Sequence, residues 1–152
     1  MPDSYWPLIE PYWEAVSIYD GAAVLAEGLR RLPLPAQHVF AAHWCQSEVY
    51  NGGLRQFFDN STGVLAPEAV TGFRAVGMPK TAALLERAML FFGSSYPRER
   101  ADRERALAAT ENDDEELPNP FETMDVELFT LLDTEADGWE KAARRYAAAN
   151  AG

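Results

Sequence analysis

The sequence predicts an all-α fold, a single-domain multi-helix bundle of about seven to nine helices with few or no strands. Alanine occurs 24 times, whereas valine and isoleucine together occur only 10 times. Alanine favours helices and β-branched residues favour strands. No window alternates polar and apolar residues with a period of two. The whole chain, residues 1–152, suits one domain and can bury enough surface to need no metal or disulfide for stability.

Three helices are expected in the first third of the chain. Pro11 stands where the first turn of a helix through Val16 is expected, and Asp20 is expected to cap the next helix. A third helix begins near Pro35. The apolar positions of these three segments are Trp13 and Val16, then Leu25, Gly28, Leu29 and Leu32, then Phe40, Ala41, Trp44 and Cys45.

The remaining helices are bounded by proline and glycine. Pro67 opens a helix that stops at Gly77, and a second helix runs from Pro79 to Phe92 before Gly93 closes it. Two more helices follow a loop over residues 112–120, which is too short to separate two domains. The apolar stripes are Ala82, Leu85, Met89 and Phe92, then Met124, Leu128, Leu131 and Leu132, then Trp139, Ala142, Ala143 and Tyr146.

The most specific segment of the chain spans residues 48–63 and reads EVYNGGLRQFFDNSTG. Its Asn-Gly-Gly sequence, residues 51–53, predicts a chain reversal or a helix break, because glycine adopts positive φ freely and asparagine tolerates it. Leu54, Phe57 and Phe58 follow at a spacing that places them on one face of a short second helix.

The polar residues of this segment have two interpretations. Glu48, Gln56 and Asn60 either form a buried network around the turn, with Phe57 and Phe58 in the core, or line a small pocket. The structural interpretation is favoured, since nothing in their chemistry demands a ligand. The full set of motif residues is Trp44, Glu48, Asn51, Gly52, Gly53, Gln56, Phe57, Phe58 and Asn60.

Through these motif residues the chain resembles a bacterial family of small acidic helical proteins whose characterised role is that of a DNA mimic. The likeness is specific over residues 39–92 and looser over the acidic loop and the last two helices, residues 110–150. The resemblance implies a protein that occupies the DNA-binding face of a regulatory protein. A shared fold does not by itself establish a shared activity.

The net charge of -11 is concentrated in one part of the chain. Between Thr110 and Glu140 no lysine or arginine occurs, and outside this acidic window acidic and basic residues nearly balance. We expect the window to form the partner-binding surface. Its acidic residues are Glu111, Asp113, Asp114, Glu115, Glu116, Glu122, Asp125, Glu127, Asp133, Glu135, Asp137 and Glu140.

Two interpretations of the acidic window stay open. Acidic runs are often a solvated surface, and some of their members are helix caps. As a single helix the window would be about 47 Å long and too dilute in charge to imitate a duplex, which carries about one charge per 1.7 Å. Folding into a loop and two packed helices raises the density, and a homodimer would extend the pattern further.

Enzymatic and metal-binding functions find little support in the sequence. His38 and His43 lie about 140° apart around a helix and cannot bind one metal from the same face. Cys45 lies on an apolar stripe, which is typical of a buried thiol rather than a nucleophile. The chain has no phosphate-binding loop, no Gly-x-Ser-x-Gly and no HExxH motif. We expect no catalysis, no cofactor and no metal site.

The sequence therefore predicts an acidic protein-binding module that covers the basic nucleic-acid-binding surface of a transcriptional regulator or nucleoid protein, without binding nucleic acid or membrane itself. An immunity or antitoxin protein that neutralises a toxin, such as a nuclease, is the alternative. An enzyme or small-ligand binder that uses the Asn-Gly-Gly region comes third. The N-terminus lacks the basic start and apolar run of a secretion signal, and the expected location is the cytoplasm.

Overall fold

The computed structural model describes residues 4–111 and 119–151. Within these ranges the chain forms eight α-helices and four short 3-10 segments, and it contains no strand, so the predicted all-α fold is confirmed. The α-helices are α1 (Trp6–Ile9), α2 (Ala22–Arg30), α3 (Leu34–Asp59), α4 (Ala66–Ala75), α5 (Pro79–Met89), α6 (Arg100–Ala108), α7 (Glu122–Thr134) and α8 (Trp139–Ala149). The 3-10 segments are Glu10–Tyr12, Ser61–Leu65, Leu90–Phe92 and Glu135–Asp137.

Helix α3 is the centre of the fold, because α1, α4, α6 and α7 all pack against it. Its closest neighbour is α4, which approaches so near that a Cβ on Gly72 would collide with the main-chain carbonyl of His38. Phe57 and Phe58 of α3 are wholly buried. The Phe58 ring contacts the rings of Phe92 and Phe121 at centroid distances of 5.1 and 5.2 Å. The second half of α3 thus joins the middle of the chain to its C-terminal part.

The helix predicted from Pro11 through Val16 is wrong. The chain instead forms the four-residue helix α1 and one 3-10 turn, Glu10–Tyr12, and helical structure ends there. Tertiary packing explains the difference: Trp13 stacks on Trp44 of α3 at a centroid distance of 5.3 Å and also contacts Trp6 at 4.8 Å. Burying large rings against α3 stabilises this irregular path more than local helix propensity would.

The predicted cap of α2 is also wrong. Gly21, with a φ of +99°, occupies the position before the helix. Asp20 accepts a hydrogen bond from the Ser17 hydroxyl at 2.5 Å, so its side chain closes a local turn instead. Such short-range bonds from serine and aspartate compete with capping.

The proline and glycine boundaries further along the chain agree with the predicted ones to within a few residues. The helix predicted to run to Phe92 tightens into the 3-10 segment Leu90–Phe92 before Gly93, whose φ is +99°. The loop predicted over residues 112–120 lies mostly outside the described residues. Among the described helices, none combines the length and the apolar character needed to cross a bilayer.

Candidate functional site

A break in α3 at Gly52 and Gly53 organises the motif. Gly53 has a φ of +80°, and a Cβ there would lie 2.7 Å from Asp125 Oδ2. A Cβ on Gly52 would overlap the Gln56 side chain. The main-chain N–H of Leu54 donates to Asp125 Oδ1 at 2.9 Å. Asp125 therefore caps the second half of α3 and ties α7 to it, and this approach needs the glycine at position 53.

Glu48 collects the polar side chains of the motif. Its Oε2 accepts hydrogen bonds from Gln56 Nε2 and from Asn60 Nδ2, both at 2.8 Å. Its Oε1 has a longer contact of 3.4 Å with the Thr62 hydroxyl. The sequence predicted a buried network around the helix break, whereas the side chains of Glu48, Gln56 and Asn60 are only half-buried. Asn51, by contrast, is exposed, and its side chain forms no hydrogen bond with the described residues.

Arg103 is a structural residue that the sequence interpretation missed. Arginine alternates with glutamate and aspartate over residues 98–105, a pattern that predicts a salt-bridged helix. Arg100 agrees with it, since it pairs with Glu104 at 2.8 Å, but Arg103 is fully buried. The guanidinium donates to the main-chain carbonyls of residues 58, 60, 97 and 98 at 2.7 to 3.1 Å. Burial lowers the pKa of Arg103. Its spacing of four from buried Leu107 was the one available signal.

Two acidic residues of the window bind the protein's own backbone. Asp125 caps the broken helix α3, as described above. Glu135 accepts hydrogen bonds from the main-chain N–H groups of Lys80 and Thr81, and from the Thr81 hydroxyl, all at 2.8 Å. It thereby satisfies the N-terminus of α5. Both carboxylates are engaged in holding the helices together.

Three further carboxylates of the window form ion pairs with arginines from outside it. Glu111 lies 2.6 Å from Arg55, Glu127 lies 2.9 Å from Arg87, and Asp137 lies 3.6 Å from Arg145. The arginines paired with Glu111 and Glu127 are distant in sequence and Arg145 lies just past the window, so the charge imbalance of the window is partly offset in space. The pairs are at least half exposed on the carboxylate side, and such pairs contribute little to stability.

The other three described carboxylates, Glu122, Asp133 and Glu140, take part in no ion pair within the described residues. Glu122 and Asp133 are eleven residues apart, which places them on the same side of α7 about 16 Å apart along its axis. Val126 lies between them and is 65% exposed. We call Glu122, Val126, Asp133 and Glu140 the outer face of α7 and α8. Asp113, Asp114, Glu115 and Glu116 lie outside the described residues.

The two histidines are half-buried and hydrogen-bonded, and the cysteine is buried. His43 Nδ1 lies 2.7 Å from the Tyr5 hydroxyl, and burial lowers the pKa of His43 to about 4. His38 Nδ1 lies 2.7 Å from the Tyr146 hydroxyl. Cys45 is buried, which raises the pKa of its thiol. Within residues 4–111 and 119–151 no three His, Cys, Asp or Glu side chains converge as metal ligands.

Comparison with known proteins gives one match. Searches of curated proteins and of solved structures found nothing significantly similar to this chain. A family model described as DMP19-like protein matches residues 30–150, which include α3 and every helix after it. The match contains both the broken helix and the outer face of α7 and α8. The chain therefore belongs to the DMP19-like family, a family of DNA-mimic proteins.

Proposed function

We propose that this protein is an acidic protein-binding module that acts as a DNA mimic and occludes the basic nucleic-acid-binding surface of a transcriptional regulator or nucleoid protein. The observation that carries the proposal is the outer face of α7 and α8. There Glu122, Asp133 and Glu140 have no ion-pair partner among the described residues, in a chain of the DMP19-like family.

The mechanism is competitive occlusion. Carboxylates that form no ion pair with the described residues stand where phosphates would stand and pair with lysine and arginine of the partner. The excess negative charge speeds association with a basic surface and repels nucleic acid. Binding of this kind weakens as salt is added, because exposed charges are screened.

Apolar contact area lies between these charges. Val126 on α7 is 65% exposed, and Tyr50 on α3, whose hydroxyl donates to Asp133 at 2.7 Å, is 46% exposed. Interfaces need such aliphatic and aromatic surface at their centre in addition to charge. The outer face thus combines charged groups with side chains that contribute by burial.

We further propose that the protein works in the cytoplasm, by binding alone, without catalysis and without a cofactor. Cys45, the strongest nucleophile of the chain, is buried, and burial raises the pKa of its thiol. The His43 ring forms a hydrogen bond with the Tyr5 hydroxyl. A reactive thiol would need a lowered pKa and access to solvent. The carboxylates that support binding are exposed, whereas the thiol and the imidazole that could support catalysis are buried and half-buried.

The proposal is tested by capturing partners from a native lysate of the source cell on the immobilised protein at low and moderate salt, followed by elution with duplex DNA. A DNA-binding protein that duplex DNA displaces is the expected result. A single toxin that resists both salt and DNA would replace the proposal with an immunity function. Absence of any basic partner would refute the electrostatic mechanism.

A matched pair of variants locates the surface. Glu122→Gln with Glu140→Gln removes two charges from the outer face, while Asp59→Asn with Glu99→Gln removes two from exposed positions beside α6. We expect the first pair to weaken partner binding about tenfold or more, since each charged contact contributes more than about 1 kcal/mol. The second pair is expected to change it little. Equal weakening by both pairs would show that net charge, and not this face, governs binding.

A further inference from the structure

A polar cavity of about 390 Å³ opens beside the break in α3. It is lined by Ser47, Glu48, Tyr50, Asn51 and Gln56, four of which come from the most specific segment of the sequence. Asn51 directs no hydrogen bond to any described residue. The structural role of the break accounts for the glycines and Asp125. It does not account for a cavity with polar groups around it.

Among the described residues that line the cavity, Glu48 is the only charged one, and it has no cationic partner in the described part of the chain. None of the ion pairs within the described residues includes it. Gln56 and Asn60 both donate to Oε2 at 2.8 Å. The remaining oxygen, Oε1, has only the Thr62 hydroxyl at 3.4 Å, which is longer than an ordinary O–H···O bond. One oxygen of a half-buried carboxylate therefore has acceptor capacity left.

The opposite rim is aromatic and joins the cavity to the acidic helices. One side of the Tyr50 ring packs on Phe129 at a centroid distance of 6.1 Å, and the residue is still 46% exposed. Burial, the hydrogen bond to Asp133 and the charges of Asp133 and Glu140 raise the pKa of its hydroxyl. The charges of Asp133 and Glu140, two carboxylates of the outer face, thus act on the Tyr50 hydroxyl.

From this arrangement we propose that the cavity is an anchoring site for one arginine side chain of the basic partner. The guanidinium donates to Glu48 Oε1 and to the Asn51 side-chain oxygen, and its plane lies against Tyr50. A planar fork of donors with a stacking face suits this set of groups, whereas a lysine ammonium offers neither. The inference rests on the proposed function, because it names the contact by which the partner would be held.

The cavity is tested directly with N-acetylargininamide, using N-acetyllysinamide as the comparison. Both are titrated into ¹⁵N-labelled protein, and the amide and side-chain NH₂ signals of Asn51 and Gln56 are followed. The expected result is saturable shifts at these residues, at lower concentrations of the arginine compound than of the lysine compound. Shifts that do not saturate, or that are equal for the two compounds, overturn the proposal.

Variants distinguish binding at the proposed arginine site from a general effect of net charge. Glu48→Gln keeps an oxygen for Gln56 and Asn60 and removes only the charge, and we expect it to weaken binding of the arginine compound about tenfold. Glu27→Gln, at an exposed position of α2, is the control with the same change in net charge, and we expect it to bind the arginine compound with unchanged affinity. Tyr50→Leu is expected to remove the preference for arginine over lysine, whereas Tyr50→Phe retains it. Unchanged binding in Glu48→Gln refutes the anchor.

Failure of this inference is distinguishable from failure of the proposed function. If Glu48→Gln leaves capture of a DNA-displaced partner intact while Glu122→Gln with Glu140→Gln reduces it, the mimic function stands and the anchor is wrong. If no DNA-displaced partner exists while the arginine compound still saturates the cavity, the site stands and the proposed function is wrong.

Discussion

Glu122 and Asp125 lie three residues apart on α7 and illustrate two different uses of acidic residues. Asp125 turns toward α3, accepts the Leu54 N–H and touches the space that a Cβ on Gly53 would need. Burial raises the pKa of Asp125, and the Leu54 bond only partly opposes this. Glu122 is exposed, with no ion pair in the described residues. The acidic window thus contains carboxylates that stabilise the fold and carboxylates that are available to a partner.

The comparison extends to whole regions. Around the break in α3, Asp125 and Arg103 bind main-chain groups of the protein itself. On the outer face of α7 and α8, Glu122 and Glu140 form no ion pair with the described residues, and Asp133 accepts only the Tyr50 hydroxyl. We therefore expect changes in the first region to alter the free energy of unfolding and changes in the second to alter binding. The predictions for Arg103, Gly53 and the outer face test this division, the one for His43 concerns the first half of α3, and all use urea unfolding monitored by circular dichroism.

The largest loss is expected from Arg103→Met. The change leaves four main-chain carbonyls at the end of α3 and the start of α6 without their donor. Each unsatisfied buried group costs about 1 to 3 kcal/mol, so the free energy of unfolding should fall by at least about 3 kcal/mol. Arg105→Met, on an exposed position of the same helix, should cost less than about 1 kcal/mol. Similar losses in both variants would contradict the assignment of Arg103 as structural.

The next loss is expected from Gly53→Ala. The residue has a φ of +80°, and its new Cβ would lie 2.7 Å from Asp125 Oδ2. Gly77→Ala is the control, because its φ is +89° and nothing lies within 4 Å of a Cβ there. Positive φ alone costs about 1 kcal/mol. We expect Gly53→Ala to lower the free energy of unfolding by at least about 1 kcal/mol more than Gly77→Ala does. Equal decreases would show that the contact with Asp125 is not tight.

A smaller effect is expected from pH through His43. Burial lowers the pKa of His43 from 6.5 to about 4, so the unfolded chain binds a proton in this range and the folded chain does not. Stability from this residue is complete above the unfolded pKa and is lost as pH falls toward the folded pKa. Between pH 7.5 and 5.5 the loss should be about 1.4 kcal/mol. His43→Gln should remove most of this dependence, and an unchanged slope would argue against buried neutral His43.

The smallest effect on stability is expected on the outer face. Glu122→Gln with Glu140→Gln should lower the free energy of unfolding by about 1 kcal/mol or less, because both side chains are exposed and outside any ion pair of the described residues, and contribute only through the dipoles of the helices whose first turns they occupy. Asp125→Asn, which keeps an oxygen for Leu54, serves as the comparison from the same helix. A loss above about 2 kcal/mol in the outer-face variant would exceed what the two helix dipoles supply and would mean that this surface is structural.

The sequence predicted most strongly where local rules and tertiary packing agree. The helices opened by Pro67 and Pro79 end near Gly77 and Gly93 as expected, since proline fixes φ at a helix start and glycine tolerates the positive φ that ends a helix. The segment from Pro11 to Val16 failed, because Trp13 gains more by stacking on Trp44 than a local helix would give. Propensity describes a residue's neighbours in sequence, and here the decisive neighbour is 31 residues away.

By itself the sequence determined the all-α class, the helix break at Gly52 and Gly53 and the concentration of acidic residues near the C-terminus. Composition, glycine geometry and charge are properties of the chain as written. Only the tertiary structure decided which carboxylates are used internally. Arg55, Arg87 and Arg145 come from outside the acidic window to pair with three of them, and backbone N–H groups of distant helices take two more. Electrostatic and hydrogen-bonding partners are chosen by distance in space, and folding sets that distance.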